Sequence, residues 1–594
     1  MDSKETLLRK KLADLGCAAI IVPTNDPHFG EYTQDYYKTR EWYSGFTGSA
    51  GTLVVTTDTA ALWTDSRYFV QAAKELQGGH VQLMKLKMPN TPTIEQWIIN
   101  KYSQGVKVAI DKALFSYDEY LNLKKSLSPC MVELINDPFN SVWIDRQPLK
   151  FNTIESLPTE YSGEKTKSKY SRVINLLGVY NAPFIYVVSA CDEVAWLCNI
   201  RGTDIEYNPL VQSYAVVTNT AIHLFINIDS LSETARTTLL EQGVELHPYT
   251  SFENFLSKVP TNYIRICSTS KITVRDYNAL NVEGAEFMDD PILGGTINHL
   301  KSIKNDTEIA GFKKAFLVDG IAWCKLLKFI EDNLAKNVLE ELNEYMIGEK
   351  LIEFRKQIPE YKGESFEPIV AFGAAAALPH YSATKTSSQK VGDNNFLLMD
   401  TGAQFVFGTT DTTRTIPIGN LTNEQKRHYT LVLKGMIDLS MAKFPRGTRG
   451  SQLDILARGP LFNDGLMYFH GTCHGIGHYL CVHEGPQSVR MEENLVTLKP
   501  GMVISNEPAI YFDGKYGIRT ENAILVENWK TTQFNDFYQF NTLTLVPIAT
   551  GCVQKELLTT EELEWLNKYN AHVYKTLAPH LDIKTAEWLA KFIN

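Results

Sequence analysis

The sequence predicts an α/β protein, with two related N-terminal α/β domains followed by a third part built from long helices and further strands. Three observations carry this. The first 150 or so residues alternate helix-type and strand-type patterns. Roughly 160 residues further on the pattern returns, and Val216-Val217-Thr218 repeats Val54-Val55-Thr56, as expected of an internal duplication. From Thr307 the texture turns helical, with apolar residues at Ile309, Phe312, Phe316, Ile321, Trp323 and Leu327.

Taken in order, Leu7, Leu8, Leu12 and Leu15 predict an amphipathic first helix, and Ala18 to Val22 a buried strand. The run Gly51 to Asp65 adds strand-type sequence and ends on Trp63-Thr-Asp65, where Asp65 reads as a helix N-cap. Between Asn152 and Lys169 polar residues replace apolar ones, which predicts a linker. The second copy holds the strand Phe184 to Val188, the strand-rich run Tyr214 to Phe225, and Asp192 to Gly202. This last segment reads as a helix followed by a turn, with Trp196 and Leu197 in the core. A second seam falls near Asn298 to Asp306, so the expected parts are 1–155, 156–303 and 304–594. Thr559 to Glu562 forms a capping-box pattern, and Thr585 to Ile593 a final amphipathic stretch that packs on its own domain or on a partner subunit.

Bulk properties exclude several classes. A chain of 594 residues is too long for one ordinary core, and its 44% hydrophobic content is globular. The net charge of −10 leaves no basic stripe for nucleic acid and no polybasic anchor for a membrane. The residues after Met1 show no apolar targeting segment, and the nine cysteines are scattered singly. Both features predict a cytoplasmic protein with reduced thiols.

The chemistry concentrates in the last part. Asp400 closes the apolar run Phe396-Leu-Leu-Met, and Asp411 sits among β-branched threonines, so both acids are placed in strand-type, buried sequence. Three further segments hold ligand-type side chains: His470-Gly-Thr-Cys-His474-Gly-Ile-Gly-His478, Ser505-Asn-Glu507-Pro508, and Gly517-Ile-Arg519-Thr-Glu521-Asn-Ala-Ile-Leu525. Strand alternation from Arg519 to Leu525 puts Glu521 on the buried face with Ala523 and Leu525. Four buried carboxylates and one imidazole need compensating charge, which two divalent cations supply; oxygen-rich ligation suits Mn, Co or Zn. Cys473, between His470 and His474, reads as a small packed thiol rather than a ligand. No HExxH helix is present.

The set Asp400, Asp411, His474, Glu507 and Glu521, in that order and setting, resembles the dinuclear pita-bread metallopeptidases. The three-part layout, the His470 to Gly477 block and Val482-His483-Glu-Gly-Pro486 resemble the three-domain Xaa-Pro aminopeptidases in particular. That resemblance implies two creatinase-like α/β domains before a pita-bread α+β catalytic domain. It implies Asp400 on one metal, Asp411 and Glu521 bridging both, and His474 with Glu507 completing the second site, the metal most commonly being Mn. His380 and His483 would face the substrate carbonyl, His470 would line a proline pocket, and Arg519 would orient carboxylates. The implied activity releases the first residue of peptides with proline second, by attack of a metal-bridging hydroxide with Glu507 carrying the proton. The enzyme would act as a homodimer without nucleic-acid or membrane partners. Two alternatives stay open: a prolidase acting on Xaa-Pro dipeptides, and a non-catalytic pita-bread module that binds protein.

Overall fold

The computed structural model describes residues 3–179, 182–335 and 342–593. Its contacts divide the chain into two compact units, residues 1–156 with 164–297 and residues 157–163 with 298–594.

The first unit holds two six-stranded sheets of the same design. In the first, the strands run Val81–Lys85, Ala60–Thr64, Thr52–Thr56, Ala19–Val22, Lys107–Asp111, Met131–Ile135 across the sheet. In the second the order is Val244–Pro248, Ile222–Ile226, Tyr214–Thr218, Phe184–Val188, Ile264–Ile266, Glu286–Met288. The registers correspond: Val54 faces Ile21 on one side and Ala61 on the other, as Val216 faces Val187 and His223. The repeated Val-Val-Thr motif therefore occupies the same central antiparallel strand in both copies, where β-branched residues pack on two covered faces.

Most predicted elements form, and three stretches differ. The expected linker between Asn152 and Lys169 carries strand Glu155–Ser156, helix Thr159–Ser162 and the start of helix Thr166–Leu177, because its polar residues still hydrogen-bond their backbone in short elements. Leu8 and Leu12 bury one face of helix Lys4–Asp14, and Trp196 and Leu197 are buried in helix Cys191–Cys198. Asp65 does not cap a helix. The next helix begins at Phe69 with Tyr68 as its N-cap, while the Asp65 carboxylate takes the Arg67 backbone N–H at 3.1 Å and its guanidinium at 2.9 and 2.8 Å. A neighbouring arginine outcompetes the helix end because its paired N–H groups fit a carboxylate bidentately. The expected strand from Arg519 to Leu525 is also broken: one strand ends at Arg519 and the next starts at Ile524.

The second unit combines a 30-residue helix, Asp306–Ala335, with helices Glu344–Arg355, Asn423–Ser440, Asp454–Phe462 and Thr560–Leu577. These pack on antiparallel sheets. A three-stranded one pairs Ile369–Phe372 and Thr412–Ile418 with the central Asn395–Thr401. A six-stranded one runs Lys443–Pro445, Asp536–Thr542, Ile524–Thr531, Val503–Ile504, Cys473–Gly475, Glu484–Val489. Phe396, Leu397, Met399, Trp323, Met436 and Ile518 share one core cluster, which fixes the strand that ends in Asp400. The turn after Asp400 is more elaborate than a simple hairpin, because Ala403–Phe405 and Gly408–Thr409 pair in a separate small sheet. The capping box at Thr559 forms, with the Glu562 carboxylate accepting the Thr559 backbone N–H at 2.9 Å.

Candidate active site

Asp400 stands on the central strand opposite Ile369 on one side and Thr413 on the other, and Asp411 immediately precedes the strand Thr412–Ile418. His474 comes from the short strand Cys473–Gly475; its backbone N–H is held by the Ser505 hydroxyl at 3.0 Å, and its carbonyl accepts Ser505 N–H at 2.9 Å. Glu507 follows two residues later, tied by its N–H to the Thr472 carbonyl at 3.0 Å. Glu521 sits in the break between strands, where its N–H donates to the Thr413 carbonyl at 3.1 Å. Arg414 secures the same break: its fully buried guanidinium donates to the Glu521 carbonyl at 2.5 Å and to Asn522 Oδ1, Val546 O and the Tyr569 hydroxyl, each at 2.8 Å. Gly475 has to be glycine, since a Cβ there would fall 2.7 Å from the Glu484 carbonyl.

These elements bring the five residues together in overlapping groups. Ligand atoms of Asp400, Asp411 and Glu521 lie within 4.8 Å of one another, as do those of His474, Glu507 and Glu521. Nε2 of His474 is 3.3 Å from Asp411 Oδ2 and 3.4 Å from Glu507 Oε1, while its Nδ1–H donates to the Gly475 carbonyl at 2.9 Å. That hydrogen bond fixes the tautomer and turns Nε2 toward the acids. His483 also joins: with Asp411 and His474 it forms a further group within 4.8 Å, its ring perpendicular to that of His474 at 4.4 Å.

The electrostatics are unbalanced. Burial pushes Asp400, Glu507 and Glu521 above the usual carboxylate range, Glu507 to about 7, and repulsion from the neighbouring acids adds to the effect. Burial alone would lower His474, but its hydrogen bond to Asp411 and the charges of Glu507 and Asp411 push it up to about 9. Arg519 is the nearby cation, donating to Asp400 Oδ2 from Nε at 3.1 Å and Nη2 at 2.5 Å. The remaining oxygens are telling. Glu521 Oε2 accepts the Thr413 hydroxyl at 2.8 Å, but Glu521 Oε1 and Asp400 Oδ1 are buried with no hydrogen-bond partner among the described residues. Buried carboxylate oxygens without a partner are costly, and several converging on one point suit divalent cations.

The other predicted residues fall around this centre. His470 Nε2 meets the Tyr511 hydroxyl at 3.0 Å, and Tyr511 accepts Arg519 Nη1 at 2.6 Å, so His470 is wired through Tyr511 and Arg519 to Asp400. His380 lies half-buried in the turn after the 3-10 helix Gly373–Ala377, outside the ligand groups. Its loop is anchored by buried Glu344, whose carboxylate accepts Tyr381 O–H and the N–H groups of Phe372 and Gln389, each at 2.8 Å. Cys473 is buried in a hydrophobic cluster and its thiol is pushed far up by burial, which fits a packed side chain.

Sequence reasoning passed over Glu344, Tyr511, Arg414 and Glu484. Glu484, next to His483, is wholly buried between the ammonium groups of Lys301 and Lys304, both at 2.5 Å. Each owes its role to partners that the fold brings in, from Arg519, eight residues after Tyr511, to the lysines some 180 residues before Glu484.

Comparison with known proteins fits this arrangement. Residues 310–528 match the model of metallopeptidase family M24, residues 536–593 match the C-terminal region of that peptidase family, and residues 6–136 and 145–308 each match a creatinase/prolidase N-terminal domain. The chain belongs to metallopeptidase family M24, with two α/β domains ahead of a pita-bread domain. It is 37% identical to a Laccaria bicolor protein named Probable Xaa-Pro aminopeptidase P, over 98% of this chain and 92% of the relative. It is 34% identical to Xaa-Pro aminopeptidase 1 of Dictyostelium discoideum, over 100% and 96%. Among solved structures, X-prolyl aminopeptidase from Caenorhabditis elegans, described as a cytosolic enzyme with a di-nuclear active site, superposes with a TM-score of 0.92 at 33% identity, covering 100% of this chain and 99% of that one.

Proposed function

We infer that this chain is a metal-dependent exopeptidase that releases the N-terminal residue from peptides with proline in second position. The observation that carries the metal dependence is the pair of buried, unpartnered oxygens, Asp400 Oδ1 and Glu521 Oε1, within a cluster of four acids. The full-length relatives named for Xaa-Pro aminopeptidase activity support the substrate class.

In this reading Asp400, Asp411, His474, Glu507 and Glu521 hold two divalent cations, most commonly Mn2+. When bound, the cations supply Lewis acidity toward the scissile carbonyl and a nucleophile available at neutral pH. Glu507 takes the nucleophile's proton and passes it to the departing proline nitrogen. His483, against His474 at the rim of the cluster, donates to the carbonyl oxygen as negative charge develops there, and His380 assists from its anchored loop. Arg519 holds Asp400 in place, and the Tyr511 hydroxyl relays that constraint to His470, which lines the proline pocket. A proline amide has no N–H, so recognition has to come from pocket shape rather than from a backbone hydrogen bond at the scissile bond. The free α-amine sits by Asp400, which limits attack to the chain end.

The same reading divides the chain at 155/156 and 303/304, makes it a homodimer and puts it in the cytoplasm. Ile455, Met467 and Phe469 are exposed apolar side chains. Among the described residues no helix is long and apolar enough to cross a membrane. None of the nine cysteines is in a disulfide, and the Caenorhabditis elegans relative is described as cytosolic.

The test is metal analysis of the purified chain with parallel assays on Xaa-Pro dipeptides and longer Xaa-Pro peptides. About two divalent ions per chain are expected, with loss of turnover on chelation and release of only the first residue from the longer peptides. Turnover that survives exhaustive chelation would overturn the reading. Cleavage confined to dipeptides would replace it with prolidase activity.

A further inference from the structure

The second α/β sheet gathers another set of ligand atoms. His223 lies on the strand Ile222–Ile226, and Glu245 and His247 lie on the adjacent edge strand Val244–Pro248. The parallel register sets His223 beside Glu245 and Phe225 beside His247, so residues two apart along the edge strand share the face of His223. On that face Nδ1 of His223 is 3.1 Å from Nε2 of His247 and 3.2 Å from Oε2 of Glu245. Ligand atoms of all three lie within 4.8 Å of one another.

These separations match a metal polyhedron. Two nitrogens each about 2.0–2.1 Å from a tetrahedral zinc stand about 3.3 Å apart. A hydrogen-bonded trio satisfies the same atoms less well, because Nδ1 of His223 either donates its single proton or accepts that of His247 Nε2, and neither arrangement serves both of its close contacts. Burial pulls both imidazoles below the usual histidine range. Their rings are also held in place. Phe225 stacks on His247 at 4.9 Å, and Phe255 lies 5.0 Å from His223 and 5.6 Å from His247. Glu245 is exposed and leaves a path from solvent.

The duplicated first sheet is an internal control. Its equivalent positions, by the same strand register, are Ala61, Gln82 and Met84. The fold therefore does not require histidines or a carboxylate on this edge.

We propose that His223, Glu245 and His247 form a second metal site, independent of the acid cluster, that binds a late first-row divalent cation, Zn2+ above all. Two imidazoles and one carboxylate favour zinc over manganese, whereas the oxygen-rich acid cluster accepts either. The bound ion would cross-link the edge strand to its neighbour.

The test is equilibrium dialysis of the metal-stripped full-length chain against Zn2+, comparing wild type with His223→Ala/His247→Ala, with His247→Gln and with Glu245→Gln. Wild type should bind one more zinc per chain than the double variant and than His247→Gln, which keeps a side chain of similar bulk if the double variant folds poorly. Glu245→Gln, which replaces a charged ligand with a weaker neutral one, should bind the extra ion less tightly than wild type. All variants should keep wild-type turnover of an Xaa-Pro peptide in Mn2+. Equal zinc stoichiometry and affinity in wild type and His247→Gln would overturn the proposal.

Discussion

Two buried charge clusters in the 298–594 unit solve opposite problems. Glu484 is one carboxylate enclosed by two lysines, each 2.5 Å away, and it needs nothing from outside the chain. The acid cluster sets Asp400, Asp411, Glu507 and Glu521 against one arginine and one histidine, and leaves two carboxylate oxygens unpartnered. Between the extremes stand Asp438 and Glu562, two acids that share Lys434 at 2.5 Å from Glu562. A compensated cluster spends its charges on holding the chain together, whereas an uncompensated one stores repulsion that a bound cation relieves. The two lie side by side in sequence, since Glu484 directly follows His483.

The largest effect expected from this contrast follows neutralising a member of the uncompensated set. Glu521→Gln should lower turnover by about a thousandfold or more, through lost metal. The same change should raise the melting temperature of the metal-free protein, because it removes one of the repelling charges and keeps an acceptor for Thr413. A lower metal-free Tm would break the comparison. Glu484→Ala should do the reverse. Stripping the carboxylate from two buried lysines should cost about 3–5 kcal/mol in denaturant melts, and adding Lys304→Met should recover part of the loss.

Removing His483 probes the seam between the clusters. His483→Ala should keep its metal and lose kcat and kcat/KM together by roughly ten- to a thousandfold. His474→Ala should lose metal, with partial recovery at high metal concentration. Paired metal titrations check both, and metal loss confined to His483→Ala would exchange their roles. A smaller effect is expected of Tyr511→Phe, which cuts the link between Arg519 and His470. Losing about 1 kcal/mol there should reduce kcat/KM by about fivefold at unchanged metal content.

The smallest effect belongs to the intermediate pair. Burial, then the hydrogen bond and charge of Glu562, push Asp438 up to about 7. An acid whose folded pKa is raised binds its proton more tightly folded than unfolded, so its contribution is lost as pH climbs from near 4 toward 7. Asp438→Asn should therefore leave Tm unchanged near pH 4 and raise it slightly at pH 8. A Tm difference that is flat across this range would remove this account of Asp438.

Much of this was legible in sequence because some residues contradict their surroundings. Asp400 after an apolar run, Asp411 among threonines and Glu521 in strand-type sequence each stand where an unpaired acid is expensive, and their glycine-rich and histidine-rich neighbours mark the same places. The repeated Val-Val-Thr motif announced the paired sheets for a similar reason, since a buried central strand constrains residue type strongly. Asp65 misled because an Asp before a helix can be claimed by a local arginine, and Arg519 to Leu525 misled because alternation continues across a break held by Arg414.

The sequence by itself determined the two related α/β domains, the later part rich in helices, and the residue types gathered near Asp400. These follow from periodicity and from the penalty on burying charge, both of which are written locally along the chain. Only the tertiary structure decided which charges are answered. Glu484 meets lysines some 180 residues earlier, Arg414 reaches Glu521 and Tyr569 across more than 100, and His223 meets His247 through a parallel strand pairing. Partner choice at such separations depends on how sheets register and helices pack, and a short window of sequence holds no record of it.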